Sequence, residues 1–199
     1  MDNPSRLDNY YNKLNFPKSV FIGEDNRLYG TWVMGNNYTV KTTYYGGYPH
    51  GYLKRIKALF PDKKNVLHLF SGKVEKNIFA GITIDINPNN KPDIIGNAEN
   101  LSNYFTKKFD LILADPPYSI EDCNHYGYPM IKRKIVLNEC YKLLKKGGNI
   151  VWLDQVLPMY RKDELKVIGY IGMVKSTNHR FRIITIFEKL KKNRDTKKK

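Results

Sequence analysis

Four short apolar runs, Val66–Phe70, Ile78–Ile84, Phe109–Ala114 and Asn149–Leu153, constrain this chain more than any other feature. They lack polar alternation and are too short for ordinary helices, so they read as strands buried on both faces, as in a parallel sheet. Helical spacing fills two of the intervals or flanks. Leu53, Ile56, Leu59 and Phe60 share a face before Pro61. Ile131, Ile135, Val136, Cys140, Leu143 and Leu144 share another, ahead of a basic last turn and glycine stop at Lys145–Gly148. Lys166–Val174 and Phe181–Lys189 are strand-like runs joined by Lys175–Arg180, short enough for an antiparallel hairpin. The expected architecture is an open α/β, mostly parallel sheet closed by that hairpin.

Upstream, Ser5 and Asp8 resemble a capping box that opens a short helix ending at Pro17. Val20–Tyr45 turns at Gly23, Gly30 and Gly35, with β-formers between, and reads as a small hairpin region. The division expected is a helix-and-hairpin extension over residues 1–48, a main domain over 49–189 and a basic, disordered tail over 190–199. The 199 residues carry a net charge of +15, which attracts polyanions, nucleic acid foremost. Lysines crowd the last residues, where they serve either as a phosphate-tracking arm or as a solubilising terminus. Cys123 and Cys140 are the only cysteines, which excludes a disulfide framework and a four-cysteine zinc site and fits a reducing compartment. No metal site is expected. The N-terminus has no apolar core for a signal peptide and no run of about 18 apolar residues occurs, so the expectation is a soluble, cytoplasmic protein.

The sharpest chemistry lies in Asp115-Pro116-Pro117-Tyr118, directly after the run Phe109–Ala114. In open α/β sheets ligands bind beyond the carboxyl ends of the strands, which sets this tetrapeptide at the mouth of a site. The prolines remove two backbone donors and stiffen the turn, leaving the Asp115 carboxylate and the Pro116 carbonyl as neighbouring acceptors. Paired acceptors suit a planar exocyclic amine, and Tyr118 offers a face on which a flipped base can stack.

With that motif the chain resembles the S-adenosylmethionine-dependent amino-methyltransferases, in which Asp-Pro-Pro-Tyr follows the fourth strand and holds the target nitrogen. The resemblance implies a Rossmann-like class I methyltransferase fold over residues 49–189, S-adenosylmethionine as cofactor, and Asp115, Pro116, Pro117 and Tyr118 as catalytic residues. Phe70-Ser71-Gly72 is similar to the start of the family's cofactor loop, although Val74 stands where its second glycine would be. Asp85 matches the acid that takes the ribose hydroxyls, and Asn97-Ala98 the turn that meets the adenine ring. Tyr44-Tyr45-Gly46-Gly47 is similar to the aromatic-x-Gly-Gly segment of adenine methyltransferases of DNA, which adds Gly46 and Gly47 to the cofactor residues; Tyr48 replaces the lysine usual there. Gly72 to Asp85 is too short for a full crossover helix, so a shortened first crossover with only a turn is expected.

The implied reaction is methylation of an exocyclic amine of a nucleic-acid base, with adenine N6 in DNA as the favoured target. Adenine N6 or guanine N2 in RNA is the alternative, and a catalytically inactive nucleic-acid-binding or partner subunit a second one. A cysteine nucleophile after proline, as in cytosine-C5 enzymes, is absent: Cys123 follows Asp122 and Cys140 follows Glu139. Candidate nucleic-acid contacts are His125, Tyr126 and Arg133 after the motif, and His179, Arg180 and Arg182 in the closing hairpin. Partners expected are nucleic acid, DNA before RNA, with a homodimer or partner subunit compensating for the lack of a target-recognition domain.

Overall fold

A computed structural model describes residues 1–15, 18–35, 47–176 and 180–190. Helix α1 (Asn3–Lys13) begins three residues before the expected capping box, because Asp2 is the cap: its carboxylate accepts from the Ser5 N–H at 3.0 Å. Pro4 sits in the first turn, where its missing N–H is no loss. Strands β1 (Val20–Ile22) and β2 (Leu28–Met34) form an antiparallel hairpin, and helix α2 (Tyr52–Leu59) follows. The rest of the expected hairpin region, residues 36–45, lies outside the described residues, as does the tail from 191 onward.

Next come β3 (Val66–Leu69), β4 (Ile82–Asp85), β5 (Ile94–Ile95) and β6 (Phe109–Ala114). Helices α3 (Ile120–Tyr126) and α4 (Arg133–Leu143) lead to β7 (Leu144–Asp154), β8 (Leu165–Lys175) and β9 (Phe181–Lys189). The nine strands among the described residues form one sheet in the order β1-β2-β8-β9-β7-β6-β3-β4-β5. β5, β4, β3, β6 and β7 run parallel, β9 is antiparallel to both β7 and β8, and β2 runs parallel to β8. The N-terminal hairpin therefore continues the sheet.

Successive strand residues face opposite sides, as the pleat requires. Val66, Leu111, Leu113, Val151 and Leu153 pack with Tyr10 of α1, Ile56 and Leu59 of α2 and Trp32 of β2. Leu67, Leu69, Ile112, Ile150 and Trp152 pack with Val136, Leu137 and Cys140 of α4. This two-sided burial is why the runs lacked alternation.

Two sequence expectations change. Ile78–Ile84 is not one strand: β4 starts only at Ile82, while Ile78 and Phe79 belong to the β3–β4 crossover, which has no helix. Phe79 plugs the space a crossover helix would fill, its carbonyl 3.1 Å from His68 Nε2, and Lys57 donates to the Ile78 carbonyl at 2.9 Å. Burial pulls the His68 imidazole down to about 4, which keeps it neutral there. Nor do Lys145–Gly148 end a helix. α4 stops at Leu143 and passes straight into β7, with Gly147 at φ +69° where the β6–β7 register shifts. A glycine can mark a bulge as well as a helix end.

Candidate active site

The carboxyl ends of β3, β4, β5, β6, β7 and β8 meet along one edge of the sheet, and antiparallel β9 starts there. β6 delivers Asp115-Pro116-Pro117-Tyr118 to the middle of that edge. The Tyr118 hydroxyl donates to Asp115 Oδ1. Burial pushes the Asp115 carboxyl up to about 6, with Asp154 adding to the rise, although Arg182, the Tyr118 hydrogen bond and Lys175 pull the other way. Burial and the Asp115 charge together hold the Tyr118 phenol well above its ordinary value. Tyr48 and Tyr52 stack beside them with ring centroids 5.1 Å apart. Both hydroxyls are buried without a hydrogen-bond partner among the described residues, and both feel the Asp115 charge.

Backbone dominates the edge on one side of Asp115. After β3, Phe70 and Gly72 adopt φ of +53° and +50°, which turns the loop sharply back on itself. The Gly72 N–H donates to Asp85 Oδ2 at 2.8 Å, and the Asn87 N–H to Oδ1 at 2.8 Å, so the carboxylate at the end of β4 is held at both oxygens. Each oxygen keeps a lone pair for a further donor. Ser71 is buried and its hydroxyl has no partner among the described residues. Past β5, the Asn97 side chain caps the Glu99 N–H at 2.9 Å, and Ala98 is buried behind it. A cavity of about 320 Å³ opens beside Gly72, between Lys73, Thr83 and Lys91. An orphaned hydroxyl, a glycine loop and a pinned carboxylate fit a nucleoside-bearing cofactor.

The other side is built from charged side chains. Arg133, expected as a nucleic-acid contact, is engaged inside the protein. Its Nε donates to Asp154 Oδ2 at 2.7 Å, and its Nη2 to Asp154 Oδ1 and to the Tyr118 carbonyl, each at 3.1 Å. Asp154, at the end of β7, is fully buried and also accepts from Trp152 Nε1 at 3.1 Å and the Gln155 N–H at 2.7 Å. In the sequence Asp154, directly after the run Asn149–Leu153, reads equally as site or surface, and nothing marks Trp152. Arg180 forks Asp122 of α3 at 3.0 and 3.1 Å, tying the β8–β9 connection to the segment after the motif. Arg182 lies over the Tyr118 ring, its guanidinium carbon 4.6 Å from the centroid.

Among the remaining expected residues, His125 is exposed on α3 with its ring edge-on to Tyr126, and Gly47 is exposed before α2. Gly46 and His179 lie outside the described residues. Cys123 and Cys140 are free and buried, and burial pushes both thiols up, which argues against a thiolate nucleophile. Among the described residues no group of three His, Cys, Asp or Glu side chains is arranged to hold a metal ion, and no helix is long and apolar enough to cross a membrane. Tyr52 and Lys175, both near Asp115, were missed in the sequence because nothing local distinguishes them from ordinary helix and strand residues.

No family model matches the sequence, and no curated protein does. Solved structures match in shape. TrmN from Thermus thermophilus is 16% identical with a TM-score of 0.50, over 73% of this chain and 50% of that one, so the chain spans half the length of TrmN. The chain shares with TrmN a class I Rossmann-like fold. The N-methyltransferase NodS from Bradyrhizobium japonicum WM9, in complex with S-adenosyl-L-homocysteine, is 12% identical with a TM-score of 0.46 over 65% of this chain and 79% of its own. A rRNA methylase from Streptococcus thermophilus is 11% identical with a TM-score of 0.44 over 65% and 89%. Within this fold the β1–β2 hairpin adds two strands beyond β8, at the edge remote from the Gly72 loop.

Proposed function

We propose that this protein is an S-adenosylmethionine-dependent methyltransferase acting on an exocyclic amine of a nucleic-acid base, in its sharpest form adenine N6 in DNA. The observation that carries the reading is Asp115. It is a desolvated carboxylate at the end of β6, between a backbone loop suited to a nucleoside and a cationic half suited to a polyanion.

In this reading Phe70, Ser71 and Gly72 hold the methionine part, Asp85 accepts from the ribose hydroxyls, and Asn97 and Ala98 border the adenine ring. S-adenosylmethionine supplies an electrophilic sulfonium methyl group. The aromatic amine is a poor nucleophile, since its lone pair is delocalised into the ring. Asp115 and the Pro116 carbonyl accept its two N–H groups and draw the nitrogen towards a pyramidal shape, so that positioning and electrostatics promote direct in-line transfer. Pro117 keeps the turn rigid. Tyr118 donates to Asp115 in the resting site and exchanges that bond for contact with the base. The nitrogen releases one proton once methylated, and Asp115, poised near 6, is the acceptor beside it.

RNA is the second reading. Helix α3, directly after the motif, has only seven residues, which favours a base that needs little extrusion. A base already unpaired costs less to extrude. Both readings are tested by transfer of labelled methyl to duplex DNA, single-stranded DNA and RNA, with nucleoside digestion of the product and Asp115→Ala as control. N6-methyladenine in DNA is expected. Label in RNA alone would move the substrate, and label equally retained by Asp115→Ala would refute the site.

A further inference from the structure

Two cations feel the Asp115 charge but make no close ion pair with it or with any other described residue. Arg182 pairs across the β8–β9 ladder with Met173, and Lys175 lies two residues beyond Met173, so both project from the same face at the strand ends. Arg182 is only 9% exposed, yet its Nε has no hydrogen-bond partner, and neither it nor Lys175 makes an ion pair among the described residues. The carboxylates nearby are already engaged: Asp154 by Arg133, Asp122 by Arg180, and Asp115 by the Tyr118 hydroxyl. The Arg182 guanidinium carbon lies 4.6 Å from the centroid of the Tyr118 ring. Burial and the Arg182 charge lower the Lys175 ammonium from its ordinary value, against the opposing pull of Asp115. A buried guanidinium next to a half-buried ammonium favours a further anion between them.

We propose that Lys175 and Arg182 form a subsite for the phosphodiester that flanks the base presented to Asp115. The proposal rests on the nucleic-acid reading above and deepens it. A planar guanidinium with an unused Nε suits a phosphate oxygen pair, and a lysine beside it adds a point charge. A cofactor carboxylate is the other anion to consider. In the sheet, however, β8 and β9 are separated from β3 and the Gly72 loop by β7 and β6, which sets the cations on the target side of Asp115.

The test is fluorescence anisotropy with a labelled single strand of about ten nucleotides carrying one adenine among thymines, and its ribose equivalent. Each is compared with a twin in which one linkage flanking the adenine is an uncharged methylphosphonate. The full chain should bind the charged strand about three- to tenfold more tightly than the neutral twin. Lys175→Met should erase that difference and flatten the salt slope by about 0.7, the single-strand value for one phosphate. Arg182→Gln serves as a second variant, since Arg182 packs on Tyr118. Equal binding of both twins by the wild type, or a difference that persists in both folded variants, overturns the proposal. Displacement of the strand by low-millimolar inorganic phosphate without any methylphosphonate effect overturns it in favour of a free phosphate. Calorimetry with S-adenosylhomocysteine should give the same affinity for wild type and Lys175→Met; a loss would assign the cations to the cofactor carboxylate instead. Binding needs no turnover, so a strand bound with the expected difference but never methylated counts against the enzyme reading and leaves the subsite standing. Methylation without the difference counts against the subsite alone.

Discussion

The two halves of the site edge are built from different materials. On the β3–β5 side a single carboxylate, Asp85, is pinned by backbone N–H groups from residues close by in the chain or across one strand. On the β7–β9 side Asp154 pairs with Arg133 and Asp122 with Arg180, and Lys175 and Arg182 stand beside them, so that the six charged side chains come from six separate elements and connections. Backbone cradles tolerate much substitution around one fixed glycine and one acid. Charged networks do not, because removing one member strands a buried charge.

The comparison predicts unequal consequences. The largest effect belongs to the residue between the halves: Asp115→Ala should lower methyl transfer by about 10²–10⁴-fold while leaving S-adenosylhomocysteine affinity unchanged in calorimetry. A concurrent loss of cofactor affinity would mean that the halves are not separable. Next, Arg133→Ala leaves Asp154 buried and unpaired and should cost about 3–5 kcal/mol in urea denaturation. Loss of that size would mark Arg133 as a buttress of the Tyr118 turn, whereas normal stability with weakened strand binding would return it to the nucleic-acid contacts. Asp85→Ala, on the backbone side, should weaken cofactor binding by about tenfold or more and destabilise the fold less than Arg133→Ala, since only two hydrogen bonds to N–H groups are lost. Equal destabilisation would erase the distinction between the halves.

The smallest effect is that of pH. The Asp115 carboxyl is raised to about 6 from an ordinary value of 3.8, so the fold favours its neutral form. As pH falls through 6 the ionised acceptor is lost, and transfer should be about half its plateau at pH 6. The same sign makes ionisation of Asp115 oppose stability increasingly as pH rises from about 4 to 6. Asp115→Asn should remove that dependence from thermal melts, and an unchanged melt profile would move the titration to another group.

Legibility in the sequence follows the same division. Val66–Leu69, Phe109–Ala114 and the β8–β9 hairpin could be read because burial on both faces imprints a continuous apolar run, and the motif after β6 because it is four consecutive residues. The short crossover was legible from chain length alone. Phe79 in place of a crossover helix was not, since an apolar residue gives the same signal in a strand as in a plug. Arg133 looked like a free arginine beyond a polar loop, and only its distance from Asp154 revealed otherwise.

Local order and composition thus determined the sheet, the place of the Asp115 turn and the excess of positive charge. Tertiary structure decided which charges are already neutralised within the protein and which, Lys175 and Arg182, are left for a ligand. The reason is physical. Apolar burial and turn chemistry act between residues a few positions apart, whereas the state of a charge depends on whichever opposite charge folding brings within about 4 Å, here from residues 21 to 58 positions away.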